Sequence, residues 1–188
     1  TNKRMLQIKK GSLEQINQKE IKLLLKEIHD KVIIQQAEFN LIYQNILEAQ
    51  FINNKIIAHR GAWKNTGAPQ NSIESLKNAI KLGVAGSEFD VRMTLDEVLV
   101  ICHDPRYEGM DIEKSTYAEL LMKPLRNGEP MPTFEQYLKA GKKQKKTLLI
   151  TEIKPSPSGK ERSLLLAEKT VAMIKKMKAQ KWIVYISF

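Results

Sequence analysis

Apolar positions change their rhythm near residue 55. Before it, Ile21, Leu25, Ile28, Val32, Gln35, Phe39, Ile42, Ile46 and Ala49 step by four and three in alternation, with one polar break at Gln35. This is a helical a/d row about four heptads long. Ser12 and Gln15 stand at capping-box spacing ahead of it. Leu23, Leu24, Ile33, Ile34 and Leu41 widen the apolar face beyond a narrow seam. Residues 1–54 are therefore expected to be a helical segment packed on the domain that follows. Self-association through residues 21–49 as a coiled coil is the competing expectation.

From residue 55 short apolar runs alternate with amphipathic stretches. KIIAHRG reads as a strand. A helix is expected through Ile73, Leu76, Ala79, Ile80 and Leu82, capped by Asn71 or Ser72 and closed by Gly83. GSEFDVRMT (86–94) and EVLVICHD (97–104) are further extended runs. Short helices are expected near Ser115 to Met122 and near Thr133 to Lys143, within an otherwise loop-rich stretch. TLLITEIK (147–154), a helix from Lys160 to about Lys178, and KWIVYISF (181–188) complete the series. Strand, helix, strand, helix, strand predicts an α/β fold with a parallel sheet and right-handed crossovers.

Composition adds limits. The 42% hydrophobic and 28% charged residues fit a soluble globular chain. No apolar run approaches the roughly 20 residues of a membrane span. No signal-peptide pattern is present, so the compartment stays open: cytoplasmic, or exported with a leader absent from this chain. The single Cys102 excludes an internal disulfide framework and a multi-cysteine zinc site. The formal charge is +10, and the densest basic run is KAGKKQKK, Lys139 to Lys146. It lacks interleaved aromatics, so no nucleic-acid partner is expected. A solvated helix end is its plain reading, and attraction to membranes or phosphates is the alternative.

Charged residues gather where the apolar runs stop. His59 and Arg60 end the first strand, Glu152 and Lys154 the TLLITEIK strand, and His103 and Asp104 the run before Pro105. Glu88 and Asp90 share one face of their strand, because side chains alternate. In parallel α/β folds such strand ends build the active site. Clustered charges are costly without a partner. Three carboxylates, Glu88, Asp90 and Glu152, suit Ca²⁺ or Mg²⁺. Two histidines, His59 and His103, suit acid and base roles near neutral pH. Arg60 and Lys154 suit a phosphate.

Five motifs, in order and spacing, resemble the glycerophosphodiester phosphodiesterases: AHRG (58–61), QNS (70–72), SEFDVRMTLD (87–96), VICHDP (100–105) and TEIKP (151–155). The resemblance covers about residues 55–188. It implies a (β/α)₈ TIM-barrel type of fold, a divalent metal, and hydrolysis of a small-molecule glycerophosphodiester to glycerol 3-phosphate and an alcohol. Under it, His59 and His103 are the acid–base pair, and Glu88, Asp90 and Glu152 the metal ligands. Arg60 and Lys154 bind phosphate, and Gln70 and Asn71 support the site. Two departures stand out. Gln70 occupies a position where many members have Glu, which either weakens metal binding or only changes how Arg60 is oriented; the second fits the three remaining carboxylates. A full barrel needs about 250 residues, so residues 55–188 are expected to supply only its first part, about four β/α units of a longer protein. A phospholipase D-like lyase acting on lysophospholipid or sphingolipid, and a non-catalytic phosphate-binding protein with a decayed site, are the competing functions.

Overall fold

A computed structural model describes residues 56–187. The helical segment expected over 1–54, with its proposed seam at 21–49, lies outside the described residues.

Four strands run parallel in the order β1 (Ile57–Ala58), β2 (Gly86–Met93), β6 (Leu148–Ile153), β7 (Ile183–Ile186). Three helices bridge them: α1 (Ile73–Leu82), α3 (Phe134–Gly141) and α4 (Lys160–Lys176). This is the arrangement of the first four strands of a barrel. Alternation along β2 decides the two layers. Phe89, Val91 and Met93 face the helices, where they join Leu76, Tyr137, Leu149, Leu166 and Ile174 in the main core. Glu88, Asp90 and Arg92 face the other way.

Local chemistry sets the helix ends. Ser72 Oγ accepts a hydrogen bond from the Ser75 backbone N–H, and Ser75 Oγ accepts one from the Ser72 backbone N–H. Gly83, with φ 67°, closes α1 in the left-handed conformation. Thr116 and Thr133 cap α2 (Tyr117–Leu121) and α3 with the same reciprocal pattern.

The run at 97–104 departs from the simple parallel scheme. Its strand β3 (Leu99–Ile101) pairs antiparallel with β2, Arg92 opposite Val100. Only Thr94–Val98 separate the two strands, and a parallel crossover needs about a dozen residues or more. Thr94 and Val98 close the turn through a backbone bond of 3.0 Å. The hairpin carries the chain out beyond the sheet edge and back, so Cys102 N–H meets the Asp90 carbonyl at 3.0 Å. Leu99 and Ile101 stay in the main core. Val100 and Cys102, on the opposite face, join Ile112, Leu120 and Met131 in a second, smaller one. A small hairpin, β4 (Arg106–Tyr107) with β5 (Met110–Asp111), stands within the stretch expected to be loop. Its turn residues Glu108 and Gly109 both have positive φ, the geometry of a two-residue hairpin turn.

Candidate active site

His59 and Arg60 lie just past β1, where the strand breaks. Arg60 (φ 58°) and Gly61 (φ 79°) are both left-handed. A Cβ on Gly61 would sit 2.3 Å from Ser75 Oγ, so the tight approach of this turn to α1 requires glycine. The turn aims the Arg60 backbone N–H at Glu88 Oε2, 2.8 Å away. The Arg60 guanidinium donates through Nη1 to Gln70 Oε1 at 3.0 Å and brings Nε to 3.8 Å from Asp90 Oδ2.

Asn71 is the keystone under Asp90. It is buried and left-handed at φ 57°. Its Nδ2 donates to Asp90 Oδ2 at 2.8 Å, and its Oδ1 accepts from the Asp90 backbone N–H at 3.3 Å. Register places Asp90 beside Glu152 on the neighbouring strand. Glu88, Asp90 and Glu152 are all buried, and each offers a carboxylate oxygen within 4.8 Å of the others. Lys154 Nζ donates to Glu152 Oε1 at 2.6 Å and stands 3.4 Å from Asp90 Oδ1.

Charge is not balanced here by the protein alone. Three carboxylates face the two cations Arg60 and Lys154. Glu88 Oε1 and Asp90 Oδ1 are buried without a hydrogen-bond donor. Burial pushes the Glu88 carboxyl up to about 7, and the charges of Asp90 and Glu152 push the same way against the Arg60 N–H bond. Carboxylate oxygens of this kind, Glu88 Oε1 without a partner and Asp90 Oδ1 facing only the Lys154 ammonium at 3.4 Å, fit a hard divalent cation, which prefers oxygen ligands.

His59 borders this cluster. His59 is 68% exposed, with Nε2 3.8 Å from Glu88 Oε2. Partial burial, followed by the Arg60 charge, holds its imidazole below the usual histidine range. His103 bonds through Nδ1 to Asp104 Oδ1 at 2.8 Å, leaving Nε2 for other work. A cavity of about 340 Å³ opens beside it, with Trp63, Gln70, Asn71, Tyr107 and Arg126 among its walls.

All nine residues singled out in the sequence come to one end of the sheet. The role of Lys154 looks different in place, since its ammonium is taken up by two candidate ligands. Asp104, already marked at the strand end in the sequence, bonds to the His103 ring; one further residue emerges, Arg92, which holds the His103 backbone. Arg92 is buried and donates from Nε and Nη2 to the His103 carbonyl at 2.8 and 2.6 Å. Among the described residues it makes no ion pair. Its position was readable as the third member of the Glu88, Asp90, Arg92 alternation; its partner was not.

Residues 59–188 match the glycerophosphoryl diester phosphodiesterase family. A crystal structure of a glycerophosphodiester phosphodiesterase from Parabacteroides distasonis is 51% identical with a TM-score of 0.69, over 72% of this chain and 57% of that one. A phosphodiesterase from Oleispira antarctica, solved in complex with the product sn-glycerol-3-phosphate, is 28% identical with a TM-score of 0.55, over 70% and 56% of the two chains. YhdW of Bacillus subtilis, provisionally named a glycerophosphodiester phosphodiesterase, is 36% identical over 115 residues, 55% of this chain and 46% of that protein. The chain thus spans about half the length of these relatives.

Proposed function

This chain belongs to the glycerophosphoryl diester phosphodiesterase family, forming part of a TIM barrel, and on that premise we propose that it carries the acid–base and metal-holding groups for hydrolysis of glycerophosphodiesters to glycerol 3-phosphate and an alcohol. The observation that carries the reading is the buried carboxylate triad, with two oxygens that lack a hydrogen-bond donor and with His59 Nε2 3.8 Å from Glu88 Oε2.

Glu88, Asp90 and Glu152 would hold the divalent cation, Ca²⁺ or Mg²⁺. When bound, such an ion supplies positive charge to the phosphoryl oxygens and favours ionisation of the nucleophile. Arg60, steered by Gln70, faces the same phosphate. Gln70 holds the guanidinium through a neutral amide oxygen, so the arginine keeps its full charge for an anion. His59, whose imidazole is held below the usual histidine range by partial burial and the Arg60 charge, takes the proton from the attacking hydroxyl. A new P–O bond forms as the bond to the alcohol breaks. His103, held through Nδ1 by Asp104, protonates the departing alkoxide from Nε2. Asn71 keeps Asp90 in register throughout, and Lys154 screens the triad before the cation arrives.

Turnover of glycerophosphocholine, followed as release of glycerol 3-phosphate, tests this reading. Exhaustive chelation is expected to abolish it, and Ca²⁺ or Mg²⁺ to restore it. His59→Ala and His103→Ala are each expected to lower kcat by about 100-fold or more. Undiminished turnover after chelation would remove the metal from the reaction. Turnover only of lipid in vesicles, and none of the soluble diester, would favour the lyase chemistry instead.

A further inference from the structure

The end of the sheet opposite the active site carries the basic charge that catalysis does not use. Three connections lead into the N-terminal ends of β2, β6 and β7. Lys81 stands in the first, in the last turn of α1. Lys143, Lys145 and Lys146 stand in the second, and Lys176, Lys178 and Lys181 at or beyond the end of α4. All seven are exposed. Residues 81–86, 141–148 and 175–183 contain no Asp, Glu or Arg. Among the described residues, none of the seven makes an ion pair.

The connections form one continuous surface. Thr147 Oγ1 donates to the Val84 carbonyl at 2.9 Å, joining the first to the second. Trp182 Nε1 donates to the Gln144 carbonyl at 2.6 Å, and Lys142 Nζ to the Met177 carbonyl, joining the second to the third. Parallel strands force this convergence, because all their N-terminal ends share one edge. Complementing helix dipoles explains Lys81 and Lys176, which lie in last turns. It does not explain Lys143, Lys145, Lys146, Lys178 and Lys181, which lie beyond the helices.

We infer that this face docks the protein electrostatically on an anionic lipid bilayer. Lysines are compact point charges suited to diffuse attraction, whereas specific phosphate recognition favours the arginine fork. The apolar content of the face suits a bilayer interface. Leu82 is 65% exposed within it, and the partly buried Trp182 has the ammoniums of Lys181 and Lys142 at 5.1 and 5.7 Å from its ring centre. Nucleic acid fits less well, since no arginine and no uncovered stacking ring is offered. Docked this way, the protein turns His59, His103 and the carboxylate triad away from the membrane, towards soluble diesters.

Co-sedimentation of the full chain with vesicles tests the inference without any activity measurement. Vesicles of phosphatidylcholine with phosphatidylglycerol are expected to bind it, those of phosphatidylcholine alone not, and high salt to release it. Each lysine near an anionic surface contributes about fivefold, so the triple variant Lys143→Gln, Lys145→Gln, Lys146→Gln is expected to bind about 100-fold more weakly. The control Lys114→Gln, Lys123→Gln, Lys160→Gln removes the same charge from the active-site end and is expected to bind within about threefold of the parent. Residues 1–55 are common to both variants. Equal loss in both would make net charge the cause, and no loss in either would place membrane binding elsewhere; each overturns the inference. So would equal binding to uncharged vesicles, or displacement from anionic vesicles by duplex DNA at matched phosphate.

Discussion

Replacing Asn71 should show how much of the candidate metal site is held in place by one amide. In Asn71→Ala both bonds to Asp90 vanish. The carboxylate oxygen Oδ2 loses its 2.8 Å donor, and the Asp90 backbone N–H loses its acceptor. Asp90 is completely buried, so water does not readily replace either partner. Leaving each group unsatisfied costs about 1–3 kcal/mol, with the charged oxygen towards the upper end. Asn71 also sits at φ 57°, where a residue with a Cβ and no compensating side-chain bond costs roughly 1–2 kcal/mol. Together these give an expected loss of about 3–8 kcal/mol, a large part of a typical domain's stability. Asn71→Gly separates the contributions. It loses the same two bonds but not the backbone fit, and should recover about 1 kcal/mol relative to alanine. Urea unfolding followed by circular dichroism measures both variants. Calorimetric titration with Ca²⁺ or Mg²⁺ on the folded fraction should show affinity about 10- to 100-fold weaker, as when a ligand loses its supporting hydrogen bond. An alanine variant that unfolds within about 0.5 kcal/mol of the parent, the range of an ordinary surface change, and binds metal as tightly would refute the reasoning.

Other substitutions probe the remaining supports. Arg92→Met removes both donors to the His103 carbonyl and should lower kcat about tenfold or more with a smaller change in KM, with Arg92→Lys recovering part of it; equal changes in a Michaelis analysis of both variants would make the contact merely structural. Gly61→Ala places a methyl 2.3 Å from Ser75 Oγ at a left-handed position, and should cost about 3 kcal/mol or more in urea unfolding. A variant of unchanged midpoint would show that the turn has room to move. Burial pushes the Cys102 thiol up to about 11, so below that pH it stays protonated and unreactive in the folded chain. Alkylation at mildly alkaline pH should therefore follow unfolding of the small core around Val100 and Ile112; rapid labelling in native buffer would mean that this core opens independently.

The sequence determined what depends on near neighbours. Alternation along 86–93 separates the core residues Phe89 and Val91 from the carboxylates Glu88 and Asp90, because successive side chains leave a strand on opposite faces. Ser72 and Gly83 mark the ends of α1 because capping is satisfied within a few residues. The parallel scheme followed from the spacing of strands and helices, and the motif residues then marked the mouth. Tertiary structure decided what depends on contacts across the chain. Arg92 finds the His103 carbonyl only because Thr94–Val98 is too short for anything but a hairpin. Gln70 meets Arg60, and Asn71 meets Asp90, across separations of 10 and 19 residues. The run Lys139 to Lys146 reads alone as a solvated helix end. It becomes part of a broad basic face when Lys81, Lys178 and Lys181 arrive from other connections. Parallel strands put every N-terminal end on one edge, and like charges far apart in sequence are gathered there by topology.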